Sequence, residues 1–333
     1  MKKLLLAALA VAGLATACRK DDDVVTCPAP GPASLDALTK QFAPPVQVFT
    51  FNPAQAQTIR SVGGATLTLA ANGLVRPDGT APTGPVRLQF QEIYDPSAML
   101  LANMPTQTIW GQLLESGGEF CVRAYEGATR LRLRNQAANL TSPVLPRISP
   151  ARRDSMSLWT WMPRWSSNTD SSGWWPVTNT IMTSSYTINA TTGDTTWFTS
   201  STTIGVSVPA TNSYYNNSVF PDTIGWLNYD VYLPTPTSAT VYVTLAAGAP
   251  EQRVYLIPHD LNGAFRPYYD PAQQRFRQEN LPAGTDLTAV VIQVRDGKYY
   301  FGTHRAPAAD GFTYRPALEE VSEEELVRRI RLL

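Results

Sequence analysis

The chain has 333 residues and a formal net charge of +0, with 27 Lys and Arg against 27 Asp and Glu. That balance gives no electrostatic footprint for nucleic acid or for an anionic membrane surface. Its 43% hydrophobic residues suffice for one or two cores, and 27 prolines and 21 glycines favour short strands and tight turns over helices.

Met1-Lys2-Lys3 is a positive start, Leu4 to Leu14 an apolar stretch too short to span a bilayer, and Ala15-Thr16-Ala17 a small-residue cleavage site. Residues 1–17 therefore read as a signal peptide, and Cys18 becomes the first residue of the mature chain. Lys20, Asp21, Asp22 and Asp23 follow it as a charged run with no reason to sit in a core. This combination resembles the lipobox and acidic export tag of Bacteroidota-type surface lipoproteins. The resemblance implies a lipid on Cys18, an outer-membrane location and exposure at the cell surface, with more than one acyl chain making the anchorage permanent. Ala15 stands where a lipobox prefers Leu, and secretion without lipid is the alternative reading. Loss of Lys2 and Lys3 with the signal leaves 25 basic against 27 acidic residues, a net charge of −2. Residues 18–44 read as a tether, stiffened by the prolines between Cys27 and Pro32. Cys27 and Cys121 are left either as a bridge or as two separate thiols.

Residues 45–150 read as a first β-sandwich. Val86, Leu88 and Phe90 alternate with Arg87, Gln89 and Gln91, the period of a strand with one buried face. Phe120, Val122 and Ala124 alternate likewise, and Gly127-Ala128 is the turn of a type II′ hairpin. Pairing outward sets Ala124 opposite Leu131 and Val122 opposite Leu133. It brings Tyr125 to Arg130, Arg123 to Arg132 and Cys121 to Arg134, so that Arg123, Arg130, Arg132 and Arg134 share one face. Guanidinium forks suit acidic polysaccharide or phosphate; a solvated strand face explains the same pattern. With Gly63 to Leu69, Val86 to Ile93 and Leu113 to Glu119, this part resembles the first domain of a group of Bacteroidota surface lipoproteins. More distantly it is similar to ZU5-like and carboxypeptidase-regulatory-like β-sandwiches, modules that imply contact-making more than catalysis.

Residues 151–234 form a Trp-, Thr- and Ser-rich β middle region, with no Lys or Arg between Arg164 and Arg253. Seven of the eight tryptophans lie between Trp159 and Trp226. Trp174, Trp175, Trp197, Tyr214 and Tyr215 are candidate sugar-binding faces; the competing reading is that they fill an interface between two sandwiches. Gly225 to Asp230 resembles a tract of the same lipoprotein group. Asp154-Ser155-Met156 and Asp222-Thr223-Ile224 resemble that group's O-glycosylation motif.

Residues 235–316 read as a second sandwich, centred on an Asp296-Gly297 type I′ hairpin that sets Val294 against Tyr299, Ile292 against Phe301 and Val290 against Thr303. Leu281-Pro282-Ala283-Gly284-Thr285 resembles the entry to a late strand in carboxypeptidase-regulatory-like sandwiches. Residues 317–333 close the chain as an amphipathic helix, with Ser322 and Glu325 as a capping box and Leu326, Val327, Ile330 and Leu333 as its apolar stripe.

No pattern selects a catalytic set, a metal site or a cofactor. His259 and His304 are too far apart in sequence for a His-x-x-x-His helix, no Gly-x-Ser-x-Gly elbow occurs, and Asp260 to Gly263 is only a fragment of a calcium loop. Two carboxylates are all that a glycosidase requires, and Asp222, Asp230, Asp260, Asp270 and Glu279 are the pool. The sequence thus predicts an all-β chain of two sandwiches with a Trp-rich middle and a short C-terminal helix. The expected role is non-catalytic binding, adhesion or scaffolding at the cell envelope, toward a glycan or a protein. A glycan-capture or glycan-active surface protein is the alternative.

Overall fold

A computed structural model describes residues 33–134, 137–162, 172–188, 195–205, 214–217, 225–235, 237–246, 249 and 251–333. The signal segment, Cys18, the Lys20 to Asp23 run and Cys27 lie outside the described residues. The chain opens with α1 (Leu35–Phe42), β1 (Gln47–Phe51), β2 (Gln57–Arg60), β3 (Thr66–Leu69), β4 (Leu74–Val75), β5 (Val86–Ile93) and α2 (Pro96–Ala102). Next come β6 (Leu114–Glu126), β7 (Thr129–Arg130), β8 (Arg132–Leu133), β9 (Ala138–Pro143), α3 (Pro150–Arg153), β10 (Ser157–Met162) and β11 (Gly173–Pro176). They lead to β12 (Thr178–Ile188), β13 (Thr195–Gly205), β14 (Tyr214–Asn217), β15 (Trp226–Tyr232), β16 (Ser238–Val243) and β17 (Glu251–Pro258). Last are β18 (Tyr268–Asp270), β19 (Arg275–Pro282), β20 (Asp286–Arg295), β21 (Lys298–Pro307), β22 (Thr313–Tyr314), β23 (Glu319–Val321) and α4 (Glu323–Ile330).

The fold is all-β in class, and four sheets carry it. The first orders its strands β1-β5-β6-β15-β10-β11, with β7 added to β6; the second runs β14-β9-β3-β2. The third is β17-β20-β21-β23 and the fourth β18-β19-β16-β22. Pairing is antiparallel except between β16 and β22 among these sheets. Leu88, Phe90, Phe120, Val122, Leu227 and Tyr229 of the first sheet bury against Leu67, Leu69, Leu140 and Tyr215 of the second. Val254, Leu256, Leu287 and Val291 of the third bury against Val241, Val243, Leu281 and Tyr314 of the fourth. Between the two sandwiches lies a shared layer, with Trp159 and Trp174 on one side and Tyr255, Val290 and Ile292 on the other. Leu38 of α1, Leu100 of α2 and Leu326 and Ile330 of α4 complete that layer.

Local signals explain most elements. The β20–β21 hairpin has the expected register from Val294–Tyr299 to Ala289–His304, and Asp296 (φ 48°) and Gly297 (φ 72°) make its turn. Gly284 (φ 85°) turns the chain into β20, with Thr285 Oγ1 donating to Pro282 O at 2.8 Å. Helix α2, absent from the sequence reading, has signals of its own. Asp95 Oδ1 accepts from Ala98 N at 2.9 Å, Pro96 occupies the first turn, and Asn103 (φ 57°) ends the helix in the left-handed region.

Three expectations need correction. The tether does not extend to residue 44, because α1 is capped by Ser34 and buries Leu35 and Leu38. The boundary at 150 is not a domain boundary: β10, β11 and β15 complete the first sheet and β14 the second, so these strands of the middle region belong to the first sandwich. Strands β12 and β13 pair with each other as a two-stranded sheet. The ladder of the hairpin at Gly127 holds the pairs Glu126–Thr129 and Tyr125–Arg130, and Leu131 N still donates to Ala124 O at 2.9 Å. Beyond them the β6 edge is occupied, with Trp226 of β15 opposite Cys121, and the chain leaves to pair β8 with β4.

Candidate functional site

The basic residues follow this altered pairing. Arg123 lies half-buried on β6 opposite Gln89, Arg130 and Arg132 are exposed on β7 and β8, and the Arg134 N–H donates to Gly73 O at 2.9 Å. Arg130, Arg132 and Arg134 are exposed and alternate with the buried Leu131 and Leu133, and Arg123 and Arg130 both act against the burial of the Cys121 thiol.

The aromatic candidates separate. Trp174 is fully buried, its Nε1 donating to Pro105 O at 2.9 Å and its ring edge-on to Trp161 at 5.2 Å. Tyr215 is fully buried in the first sandwich, on a different sheet. These two are core residues, and sugar-binding faces they are not. Each buried Trp contributes about 4 to 6 kcal/mol of transfer free energy at 25 cal/mol per Å². Tyr214 is exposed on β14, and Trp197 pairs with Tyr186 along β13 and β12, its side chain outside the description. Trp175 alone leads to a concave surface: its ring lies 4.8 Å from that of Trp110, which the sequence reading passed over.

Trp110 rims a cleft of about 1140 Å³ set between the two sandwiches and bordered by α1, the end of α2, the loop 107–111, β17, β18 and β19. Thr108 builds the loop. Its Oγ1 accepts from Trp110 N (3.2 Å) and Gln112 N (3.1 Å), and Gly111 (φ 80°) closes the turn against Thr108 O at 2.9 Å. Trp110 is left at the tip, 56% exposed. Across the cleft, Tyr268 and Tyr269 on the edge strand β18 are each 48% exposed. Asp270 Oδ1 holds the following turn by accepting from Ala272 N (2.9 Å) and Gln273 N (3.2 Å).

The cleft wall between these aromatics is polar. Asn103 Oδ1 accepts from Tyr255 OH at 2.6 Å and from Arg266 at 2.9 Å, and Arg266 N donates to Gln107 Oε1 at 2.7 Å. Arg253 donates to Thr39 Oγ1 (2.7 Å) and Leu35 O (3.0 Å) on α1. Burial above all, with Arg266 adding to it, holds the Arg253 pKa below its ordinary value. Gln252, Gln278 and Asn280 supply further amides. Half-exposed aromatic rings, amides and guanidiniums around one concavity suit a ligand that offers both C–H faces and hydrogen-bonding groups.

The carboxylate pool does not assemble around this cleft. Asp222 lies outside the described residues, Glu279 lines the cleft paired with Arg277, and Asp260 is an exposed loop residue. Asp230 is fully buried on β15 beside Glu119. Asn228 Nδ2 donates to Asp230 Oδ2 at 2.7 Å, whereas Asp230 Oδ1 and both Glu119 oxygens have no hydrogen-bond partner among the described residues. Burial raises the pKa of both carboxyls well above the carboxylate range, and Asp230 pushes Glu119 further. The Asp260-to-Gly263 stretch is a structural plug: Asn262 Nδ2 donates to Tyr94 O (3.0 Å) and Ser116 O (2.7 Å). His259 bonds Thr288 Oγ1 at 2.8 Å and His304 Nδ1 accepts from Arg315 N at 2.7 Å, each in a local contact of its own. Cys121 is a buried free thiol whose pKa burial raises. Comparison with known protein families, curated proteins and solved structures finds no match to this chain.

Proposed function

We propose that the chain is a non-catalytic binding protein of the cell envelope, held by a lipid on Cys18, that captures a glycan in the cleft beneath Trp110. The Ala15-Thr16-Ala17-Cys18 cleavage pattern and the acidic run after it support the anchor. One observation carries the glycan reading: Trp110, Tyr268 and Tyr269 present half-exposed rings around a polar cleft of about 1140 Å³. That volume exceeds the usual range for a drug-sized ligand, roughly 300 to 1,000 Å³, and leaves room for several sugar rings.

A double dissociation tests both halves. Cys18→Ser releases the chain from the membrane fraction and leaves glycan-array binding by the purified protein intact. Trp110→Ala leaves membrane association and melting temperature unchanged and weakens glycan binding at least tenfold, about 1.4 kcal/mol. A Cys18→Ser chain that stays with the membrane removes the anchor. Undiminished binding by Trp110→Ala, or no binding to any glycan by the parent protein, removes the cleft.

A further inference from the structure

We propose that the ligand of this cleft is an anionic glycan, one whose sugars carry carboxylate groups; the inference rests on the glycan reading above and sharpens it. Its basis is the charge inventory of the cleft wall. Arg253 and Arg266 both line the cavity, and the acceptors of both guanidiniums are neutral: Thr39 Oγ1 and Leu35 O for Arg253, Asn103 O and Oδ1 for Arg266. Neither makes an ion pair within 4 Å among the described residues.

Asp36, Glu251 and Glu279 share the wall, and none of them lies within ion-pair distance of either guanidinium among the described residues. Glu279 pairs with Arg277, and Glu251 Oε2 accepts the Leu35 N–H at 2.9 Å. Asp36 sits in the first turn of α1, whose amide ends favour a carboxylate there. Asp36 and Glu251 act on Arg253 and offset the repulsion from Arg266, whereas Arg266, whose hydrogen-bond acceptors are all neutral, is the guanidinium that an incoming anion would meet. It retains donors beyond those its neutral acceptors use, because a guanidinium carries five N–H groups. Asn103 and Tyr255 hold Arg266 in place: its guanidinium lies 6.0 Å from the Tyr255 ring centroid, and both Arg266 and Tyr255 OH donate to Asn103 Oδ1. Aromatic rims with the Arg266 guanidinium on the wall thus fit sugar rings that bear acid groups, bound ring to ring and carboxylate to guanidinium.

The test uses the purified full chain in titration calorimetry with polygalacturonate, alginate and hyaluronan, each beside its carboxyl-reduced form. At least one acidic polymer binds ten times more tightly than its reduced form in 50 mM salt, and the ratio shrinks toward one at 500 mM. Arg266→Gln lowers affinity for that polymer at least tenfold and leaves affinity for the reduced form unchanged. The salt comparison on the unmodified chain stands even where the variant does not fold. Equal affinity for acidic and reduced forms, or binding confined to neutral glycans that Trp110→Ala abolishes, overturns this proposal and leaves glycan capture standing. No binding to acidic or neutral glycans overturns both.

Discussion

Two buried glutamates on neighbouring strands show what a carboxyl needs. Glu92, 9% exposed, accepts from Gly63 N (2.5 Å), Ser61 Oγ (2.7 Å), Tyr94 OH (3.0 Å) and Gln47 Nε2 (3.1 Å). Glu119, fully buried, has none of these and faces Asp230 instead. The Glu119 carboxyl is therefore held neutral in the folded chain, while in the unfolded chain it ionises near pH 4. Its contribution to stability is intact below that pH and is lost as pH climbs toward the raised folded-state value. Glu119→Gln removes this loss. The variant should melt near the parent temperature at pH 4 and a few degrees higher at pH 8, at about 2 °C for each kcal/mol in a chain of this length. Glu126 and Glu325, held down to about 2 by Arg76 and by Arg328 with Arg329, act in the opposite direction but are common to both proteins. Melting curves that stay parallel from pH 4 to pH 8 would show that Glu119 is ionised in the fold.

At the scale of elements, α4 tests how far a local signature predicts docking. Ser322 Oγ accepts from Glu325 N at 3.1 Å, but the Glu325 carboxylate turns to Arg328 (2.7 Å) and Arg329 (2.5 Å), so only half of the capping box forms. Leu326 and Ile330 are fully buried in the shared layer. Ser322→Ala should cost about 1 kcal/mol and Leu326→Ala about 2 to 5 kcal/mol, read from chemical denaturation. A Leu326→Ala cost below 0.5 kcal/mol, about the level of an ordinary surface change, would mean that the helix does not pack there in solution. Elements of this kind were legible because their causes are local: the Asp296-Gly297 turn, the alternation from Val86 to Phe90, the cap at Ser322. The cleft was not. Trp110 and Tyr268 stand more than 150 positions apart, and neither exposure nor concavity has a period in the chain. The same limit hid the fate of β7 and β8. The turn at Gly127 was readable, whereas the competition of Trp226 for the edge beside Cys121 is a long-range event.

For the whole molecule, the expected two-sandwich plan is present, yet the two sandwiches do not stand apart, and Ala33–Leu333 forms one compact unit. Residues from both sandwiches and from three helices share the layer around Leu100, Trp159, Tyr255 and Ile292. Separating the halves would expose that apolar layer to water, at about 25 cal/mol per Å². Neither half is therefore stable at the cost of the other, and the chain should unfold in one step. The distribution of tryptophans makes this measurable: all eight lie at or before Trp226, so Trp fluorescence follows the first sandwich and the layer it shares. Hydrogen exchange of the amides of β20 and β21 follows the second. In denaturant both probes should report one midpoint, and Leu100→Ala, at a fully buried site on α2, should lower both midpoints together for a loss of about 2 to 5 kcal/mol. If fluorescence and exchange part company in the unmodified chain, or if Leu100→Ala shifts only one of them, the shared layer is a contact between independent domains. A cleft formed between such domains would then open and close with their relative motion, and glycan affinity would no longer track the stability of the fold.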